Sequence, residues 1–209
     1  KFPNSVNLYN IVGASHKRLG KLDEATVAYK KAISIKPDYA EAHNNMGNAL
    51  KDQGNLEAAI EAFNKALIDM TAECMMFEAT KIVAIESRGF LFGSPLARDM
   101  ELPLILARKP GKLPNPTYQR NYTLEYGEAT LHIQQNSNLK PKDKIVIIDD
   151  LIATGGTAMA LATLISQCWS VPRENILILA AIDLIDLKGS AIIQDAGFNV
   201  QSLIEFEGE

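Results

Sequence analysis

Apolar residues recur at helical spacing over the first third of the chain and then give way to short, continuous apolar runs. Apolar positions three and four residues apart predict four helices in the first third. Their expected bounds are Val6–Leu19, Leu22–Ile35, Tyr39–Gln53 and a fourth helix from Leu56 onward. No proline stops the fourth helix near Thr71, so we expect it to continue towards Cys74 or beyond.

The remaining two thirds, from Lys81, have the pattern of buried strands separated by helices. The runs "KIVAIE", "LPLILA", "KIVIIDD" and "NILILAAID" are rich in Ile and Val, and "GSPLARDM" and "TAMALATLISQC" are helix-like. This alternation predicts a parallel sheet with crossover helices. Both "VAIES" and "VIIDD" end in acidic residues, and we expect these strand ends to lie side by side, where ligands bind in such sheets.

The helical third contains an internal repeat. Two segments that start at Gly13 and Gly47 align without gaps at an offset of 34 residues. The matched pairs include Gly13 with Gly47, Gly20 with Gly54, Ala25 with Ala59, Tyr29 with Phe63, and Ala32 with Ala66. The pattern resembles the tetratricopeptide repeat (TPR), in which small residues let two helices cross closely and an aromatic residue fills the gap between them.

The repeat and the sheet pattern together predict two domains of class α + α/β. TPR hairpins would occupy residues 1–76, with repeat 1 at about 6–39 and repeat 2 at about 40–73, and a Rossmann-like parallel-sheet domain would occupy residues 77–209. Repeats of this kind usually bind a peptide or protein partner in a concave groove, which Asn44 and Asn45 could line. A simple docking or spacer role for the repeats is an equally open interpretation.

Composition and charge narrow the class of partner. The 209 residues are 47% hydrophobic with a formal net charge of −4, which argues against a nucleic-acid partner. No apolar run approaches the roughly 18 residues of a membrane span, and the first residues lack a signal-peptide pattern. We therefore expect no membrane partner and a cytoplasmic location. Cys74 and Cys168 are far apart in sequence and are expected to be buried small hydrophobes.

Positive charge is nevertheless concentrated in one segment. The segment from Arg88 to Arg120 contains six basic residues and only two acidic ones, Asp99 and Glu101. The six are Arg88, Arg98, Arg108, Lys109, Lys112 and Arg120. A short cluster of this kind suits a small polyanion better than a long one.

The stretch "VIIDDLIATGGT", Val146 to Thr157, combines a buried strand with a phosphate-binding turn. The turn precedes a helix, so its backbone N–H groups, its hydroxyls and the positive helix end converge on one anion. Asp149 and Asp150 would then accept hydrogen bonds from donors such as a ribose diol. Taken alone, an Asp-Asp pair is also typical of a metal site or of a receiver-type acidic pocket. Neither a Walker loop nor a dinucleotide fingerprint is present.

Read with its neighbours, this stretch resembles the phosphoribosyl-pyrophosphate (PRPP) motif of the type I phosphoribosyltransferases. The segments "IESRGFLFG", "RKPGKLP", "YTLEYG", "LIDLKG" and "VQSLIEFE" narrow the resemblance to the adenine phosphoribosyltransferases, over about Lys81 to Glu209. The family transfers ribose 5-phosphate from PRPP to adenine in purine salvage, giving AMP and pyrophosphate. The resemblance implies an enzyme of this class, a homodimer, and Mg²⁺ bound through PRPP with no protein metal ligand.

The resemblance also implies a role for individual residues. Asp149 and Asp150 would hold the ribose hydroxyls. Arg88 would contact pyrophosphate, and the 5′-phosphate would lie on Ala153, Thr154, Gly155, Gly156 and Thr157. Lys109 and Lys112, with Arg108 nearby, would neutralise the leaving group. Glu125 would act near the reaction centre, within a lid from Asn115 to Gly127 that includes Tyr122 and Tyr126.

The family's N-terminal hood, which recognises the purine, has no recognisable counterpart before "IESRG", where the repeats stand. Two hypotheses stay open on this basis. In the first, the chain is an active transferase whose base pocket is completed by the repeats or by a second subunit. In the second, it is a non-catalytic TPR interaction protein that carries a degenerate PRPP- or nucleotide-binding domain. A third hypothesis is that the chain is a fusion of the two parts without a joint role.

Overall fold

The computed structural model describes residues 5–37, 39–52, 56–124 and 127–207. The chain divides into two compact units, Lys1–Lys65 and Ala66–Glu209. Four helices precede the first strand: α1 (Val6–Arg18), α2 (Leu22–Ile35), α3 (Ala40–Asp52) and α4 (Leu56–Met76). The four predicted helices are confirmed to within two residues at their described ends. Helix α4 passes Thr71 without interruption, because no proline ends it there.

The first repeat packs as its sequence predicts. Gly13 of α1 lies against the ring of Tyr29 in α2, and a Cβ at Gly13 would be 2.5 Å from Tyr29 Cε1. Tyr29 is 1% exposed, so its ring fills the gap that the glycine leaves. At Gly47, the matched position of the second repeat, a Cβ would meet no atom of the described residues within 4 Å.

The second unit is built on a seven-stranded sheet with the order β3-β4-β2-β1-β5-β6-β7. The strands are β1 (Lys81–Ile85), β2 (Leu104–Arg108), β3 (Thr117–Leu124), β4 (Gly127–Gln134), β5 (Ile145–Ile152), β6 (Ile176–Leu184) and β7 (Asn199–Phe206). Five of them run parallel, and β4 pairs antiparallel with β2 and β3. The helices of this unit are α5 (Gly89–Asp99), α6 (Gly156–Trp169) and α7 (Gly189–Asp195). The predicted parallel sheet with crossover helices is confirmed.

The sheet is covered on both faces, which explains the continuous apolar runs of its central strands. Ile145 and Ile147 of β5 belong to one core cluster with residues of α6, and Val146 and Ile148 belong to another with residues of α4 and α5. Successive strand residues point to opposite faces, so the clusters lie on the two sides of the sheet. None of the described helices is long and apolar enough to cross a membrane.

The prediction of a buried cysteine is confirmed for Cys74, whereas Cys168 is only partly buried. Cys74 is fully buried at the end of α4, and burial raises the pKa of its thiol to about 12. Cys168 packs partly buried against the cluster of α6, where burial also raises the pKa of its thiol. Both are free thiols.

The hairpin of β3 and β4 was not predicted from the sequence. Most of the segment from Asn115 to Gly127, expected as a lid, is strand β3, paired along its length from Thr117 with Gln134 to Leu124 with Gly127. The missed signal is the alternation in "ATLHIQ", which places Leu131 and Ile133 in the core.

Candidate active site

The predicted meeting of two strand ends is confirmed. Strands β1 and β5 are parallel neighbours, with Ala84 level with Ile148, so the residues that follow them share one edge of the sheet. The chain leaves β1 towards β2 on one side and β5 towards β6 on the other. The edge is therefore a topological switch point, where ligands bind in open α/β sheets.

Asp149 and Asp150 lie at the carboxyl end of β5, and both are half-buried. Burial raises the pKa of Asp149 to about 7, and the neighbouring Asp150 carboxylate adds to the rise. The Asp150 backbone N–H, which donates to Asp149 Oδ1 at 2.9 Å, and the charge of Arg88 act in the opposite direction on this pKa. Near neutral pH, Asp149 is therefore partly protonated.

Arg88 forms an ion pair across the strand ends. Its Nε lies 2.6 Å from Asp150 Oδ2, while its side chain is 68% exposed and that of Asp150 is 26% exposed. A pair with so much solvent access contributes little to stability and is easily opened by a competing anion. The structure thus brings together the residue predicted for pyrophosphate and one predicted for the ribose hydroxyls.

The predicted phosphate turn leads directly into α6. Gly155 stands at the N-cap of α6 with φ of 75°, and no side chain in the described part of the chain caps this helix end. Its first N–H groups lack partners within the helix and carry the positive end of the helix dipole. Residues Ala153, Thr154, Gly156 and Thr157 are half-buried beside it. The turn can accordingly take an anion such as a phosphate.

Two glycines that sequence reasoning did not assign to the site make its geometry possible. A Cβ at Gly89 would fall on the carbonyl oxygen of Ile148 and 3.3 Å from Asp149 Cα, so the start of α5 lies directly against β5. A Cβ at Gly189 would fall on the carbonyl oxygen of Ala153 and 2.6 Å from Gly155 N. The sequence signals were the glycines in "SRG" and "LKG", each at the start of a helix.

Four of the six predicted basic residues belong to this edge. Arg88 follows β1, and Arg108, Lys109 and Lys112 end β2 or follow it. Both lysines are exposed. Arg98 instead pairs with Asp99 at the last turn of α5, at 2.6 Å, and Arg120 Nη1 donates to Gln167 Oε1 at 3.0 Å.

Glu86 joins these basic residues, and sequence reasoning missed it as a site residue. Its Oε2 accepts a hydrogen bond from Lys109 N at 2.8 Å, and its Oε1 lies 3.2 Å from Arg108 Nη2. The Lys109 N–H and the Arg108 guanidinium hold the pKa of the Glu86 carboxyl below its usual value. The acidic end of "VAIES" is visible in the sequence, but the partners of Glu86, Arg108 and Lys109, lie 22 and 23 residues further along the chain.

Of the predicted lid residues, the described part of the chain contains only Tyr122. Tyr122 lies in β3, pairs with Ala129 and packs against the core cluster of α6. Glu125 and Tyr126 lie outside the described residues.

Neither carboxyl group of the Asp149–Asp150 pair is a free carboxylate that could serve as a metal ligand. Asp150 is paired with Arg88, and Asp149 has a raised pKa. Among the described residues, no group of three or more His, Cys, Asp or Glu side chains could hold a metal ion.

Two family models match the chain. A TPR repeat model matches residues 13–54, and a phosphoribosyl transferase domain model matches residues 47–168. The second match begins within the second repeat, before the boundary at residue 77 that the motifs predict.

Similar proteins align over most of the chain. The adenine phosphoribosyltransferase of Colwellia psychrerythraea is 40% identical over 178 residues, 85% of this chain and 94% of that protein. The corresponding protein of Marinobacter nauticus is 35% identical over 191 residues, 90% of this chain and 100% of its own length. The crystal structure of the Giardia lamblia enzyme with 9-deazaadenine has a TM-score of 0.67 and 29% identity, covering 74% of this chain and 85% of that one.

Proposed function

Since the chain belongs to the adenine phosphoribosyltransferases, within the phosphoribosyl transferase family, we propose that it transfers the ribose 5-phosphate group of PRPP to N9 of adenine. The protein is a PRPP-dependent phosphoribosyltransferase of the purine-salvage type, with AMP and pyrophosphate as the proposed products. One observation carries the assignment of the site: the phosphate turn, the Asp149–Asp150 pair and the basic residues meet at the adjoining ends of β1 and β5.

The turn from Ala153 to Thr157 binds the 5′-phosphate through its backbone N–H groups and hydroxyls. Asp149 and Asp150 accept hydrogen bonds from the two ribose hydroxyls. Arg88 leaves Asp150 as PRPP enters and moves to the pyrophosphate, which the exposed position of its side chain permits. PRPP would thus replace the ion pair of Arg88 and Asp150 by two contacts with the ligand: Asp150 with a ribose hydroxyl and Arg88 with the pyrophosphate.

The reaction forms a bond from adenine N9 to ribose C1′ and breaks the bond from C1′ to the pyrophosphate oxygen. Pyrophosphate leaves with the electron pair, and the N9 proton of adenine passes to the departing pyrophosphate or to solvent. Because negative charge grows on the leaving group, Arg88, Lys109 and Lys112 stabilise the transition state more than the ground state. The acidic pair supports the positive charge that develops on the ribose ring.

Mg²⁺ would enter with PRPP and be held mainly by ligand oxygens, since Asp149 and Asp150 are engaged by the ribose hydroxyls. When bound, it supplies positive charge that neutralises the pyrophosphate. Glu125 and Tyr126, which follow β3 in the sequence, would close over the ligand and exclude water.

The proposal extends to the assembly and the location. We assign the repeats, residues 1–76, to a protein or peptide partner, because a TPR repeat model matches residues 13–54 and Asn44 is exposed on α3. Asn45 instead donates to Asn10 Oδ1 at 3.1 Å within the repeats. The transferase domain then spans residues 77–209. A cytoplasmic homodimer is the proposed working form.

AMP formation from adenine, PRPP and Mg²⁺ tests the proposal. The wild-type protein should produce AMP, and Asp150→Asn or Glu125→Ala should reduce turnover by at least about 100-fold, because each removes a group at the reaction centre. Asp99→Asn, which removes an exposed carboxylate at the end of α5, is the matched control and should retain full activity. Binding of PRPP without turnover would favour a non-catalytic interaction protein instead.

A further inference from the structure

Glu86 connects the two loops that carry the basic residues of the site. It follows β1 directly, and its side chain is 13% exposed. Its backbone N donates to Ala107 O at 2.9 Å, its Oε2 accepts from Lys109 N at 2.8 Å, and its Oε1 lies 3.2 Å from Arg108 Nη2. One residue therefore attaches the loop after β1 to the end of β2.

Arg108 extends this connection to the far end of the basic loop. Its Nη1 donates to the Lys112 carbonyl oxygen at 3.0 Å, and its guanidinium lies 5.9 Å from the ring centre of Phe90. Gly111, with φ of 75°, allows the tight turn between Arg108 and Lys112. Because Arg108 is half-buried and bonded to protein groups on both sides, its guanidinium holds the loop rather than extending to solvent.

These bonds act on the backbone of the loop and leave its lysine side chains exposed. Glu86 binds the amide of Lys109, and Arg108 binds the carbonyl of Lys112. The loop is thus anchored at both ends, and one of its anchors, Glu86, stands two residues before Arg88 in the chain. Lys109 and Lys112 carry the charge that a pyrophosphate would meet, while Glu86 and Arg108 determine where that charge stands.

We propose that Glu86 and Arg108 are positioning residues that hold the Lys109–Lys112 loop against the Arg88 loop, so that the three cations meet the pyrophosphate of PRPP together. This inference rests on the proposed function. Neither residue needs to touch the ligand. The anchored loop avoids the loss of conformational freedom that a mobile basic loop would suffer on binding.

A comparison of PRPP with AMP distinguishes positioning of the pyrophosphate-binding cations from a general effect on the whole site. Both ligands carry a ribose 5-phosphate, and only PRPP carries pyrophosphate. Calorimetric titration of Glu86→Gln with PRPP and Mg²⁺ should give a dissociation constant raised roughly tenfold or more, equivalent to about 1.4 kcal/mol. The dissociation constant for AMP should change less than about twofold. Glu78→Gln, which removes an exposed carboxylate paired with Lys144 before the start of β1, is the matched control and should change neither.

The same substitution in a protein that lacks both loop lysines tests whether Glu86 acts through Lys109 and Lys112. In a Lys109→Ala/Lys112→Ala protein, Glu86→Gln should weaken PRPP binding by clearly less than in the wild type, since residues acting as one unit are not additive. An undiminished effect there, or equal weakening of PRPP and AMP binding in the single variant, would overturn the positioning role. If the wild-type protein binds AMP and PRPP but makes no AMP, the transferase reaction fails while the positioning role is still decided by the same titrations. If it binds neither, both proposals fail.

Discussion

Replacing Gly189 with alanine probes the phosphate turn with a single methyl group. Gly189 is not in the left-handed backbone region, so alanine meets no conformational penalty there. The methyl group would nevertheless fall on the carbonyl oxygen of Ala153, 2.6 Å from Gly155 N and 2.8 Å from the Thr154 carbonyl carbon. All three neighbours are backbone atoms of the turn, so no flexible side chain can give way.

The expected loss of stability and of turnover follows from how far the backbone must move to relieve the clash. Ordinary contact begins near 3.4 Å, so the turn or α7 must move by about 1 Å. Overpacking of this kind costs about 1–3 kcal/mol of stability. A displacement of roughly 1 Å in a positioned group can reduce turnover about 100-fold. Because the turn is proposed to hold the 5′-phosphate, AMP and PRPP binding should weaken together.

Urea denaturation and calorimetric titration with AMP and with PRPP measure the two effects in the same preparation. Gly47→Ala is the matched control, because it makes the same substitution at a helical position where no atom of the described residues lies within 4 Å, and it should be neutral or stabilising by up to about 1 kcal/mol. The reasoning fails if Gly189→Ala loses stability but keeps its AMP affinity within twofold. The 5′-phosphate would then lie elsewhere.

Two further predictions concern proton binding and repeat packing. Because the pKa of Asp149 is raised in the folded protein, this group's contribution to stability is fully present below about pH 4 and is lost as pH rises to about 7. Asp149→Asn should therefore match the wild type in urea denaturation near pH 4 and exceed it at pH 8, by up to roughly 4 kcal/mol; equal stability at both pH values would contradict the shift. Gly13→Ala should destabilise the first repeat by about 1–3 kcal/mol, because its methyl group meets the buried Tyr29 ring. Hydrogen exchange in peptides from α1 and α2 measures this effect, and unchanged protection would show that the ring can move.

Local patterns carried a large part of the structure. The four helices followed from apolar spacing, and the contact of Gly13 with Tyr29 followed from a repeat that requires a small residue opposite an aromatic one. The parallel strands followed from short Ile- and Val-rich runs between helical segments. In each case the determining interaction joins residues near in sequence or repeats at a fixed spacing, which is why the chain itself displays it.

The site was only partly visible in this way. Asp149, Asp150 and the turn from Ala153 to Thr157 are contiguous, so one motif contains them. Arg108 was expected to bind pyrophosphate on the strength of its neighbours, yet its guanidinium is bonded to Glu86 and to the Lys112 carbonyl. Whether a cation faces a ligand or a protein group depends on contacts between separate strands.

By itself, the sequence determined the helices, the parallel strands, the glycine turn before α6 and the membership of a family. Only the tertiary structure decided that Gly89 brings α5 against β5 and that Gly189 brings α7 against the turn. It also decided that Glu86 links the two basic loops. The physical reason is that these contacts join residues distant along the chain, with no periodic pattern to record them. Close approach of two backbones requires the absence of a side chain, and a lone glycine in a sequence does not reveal which backbone it meets.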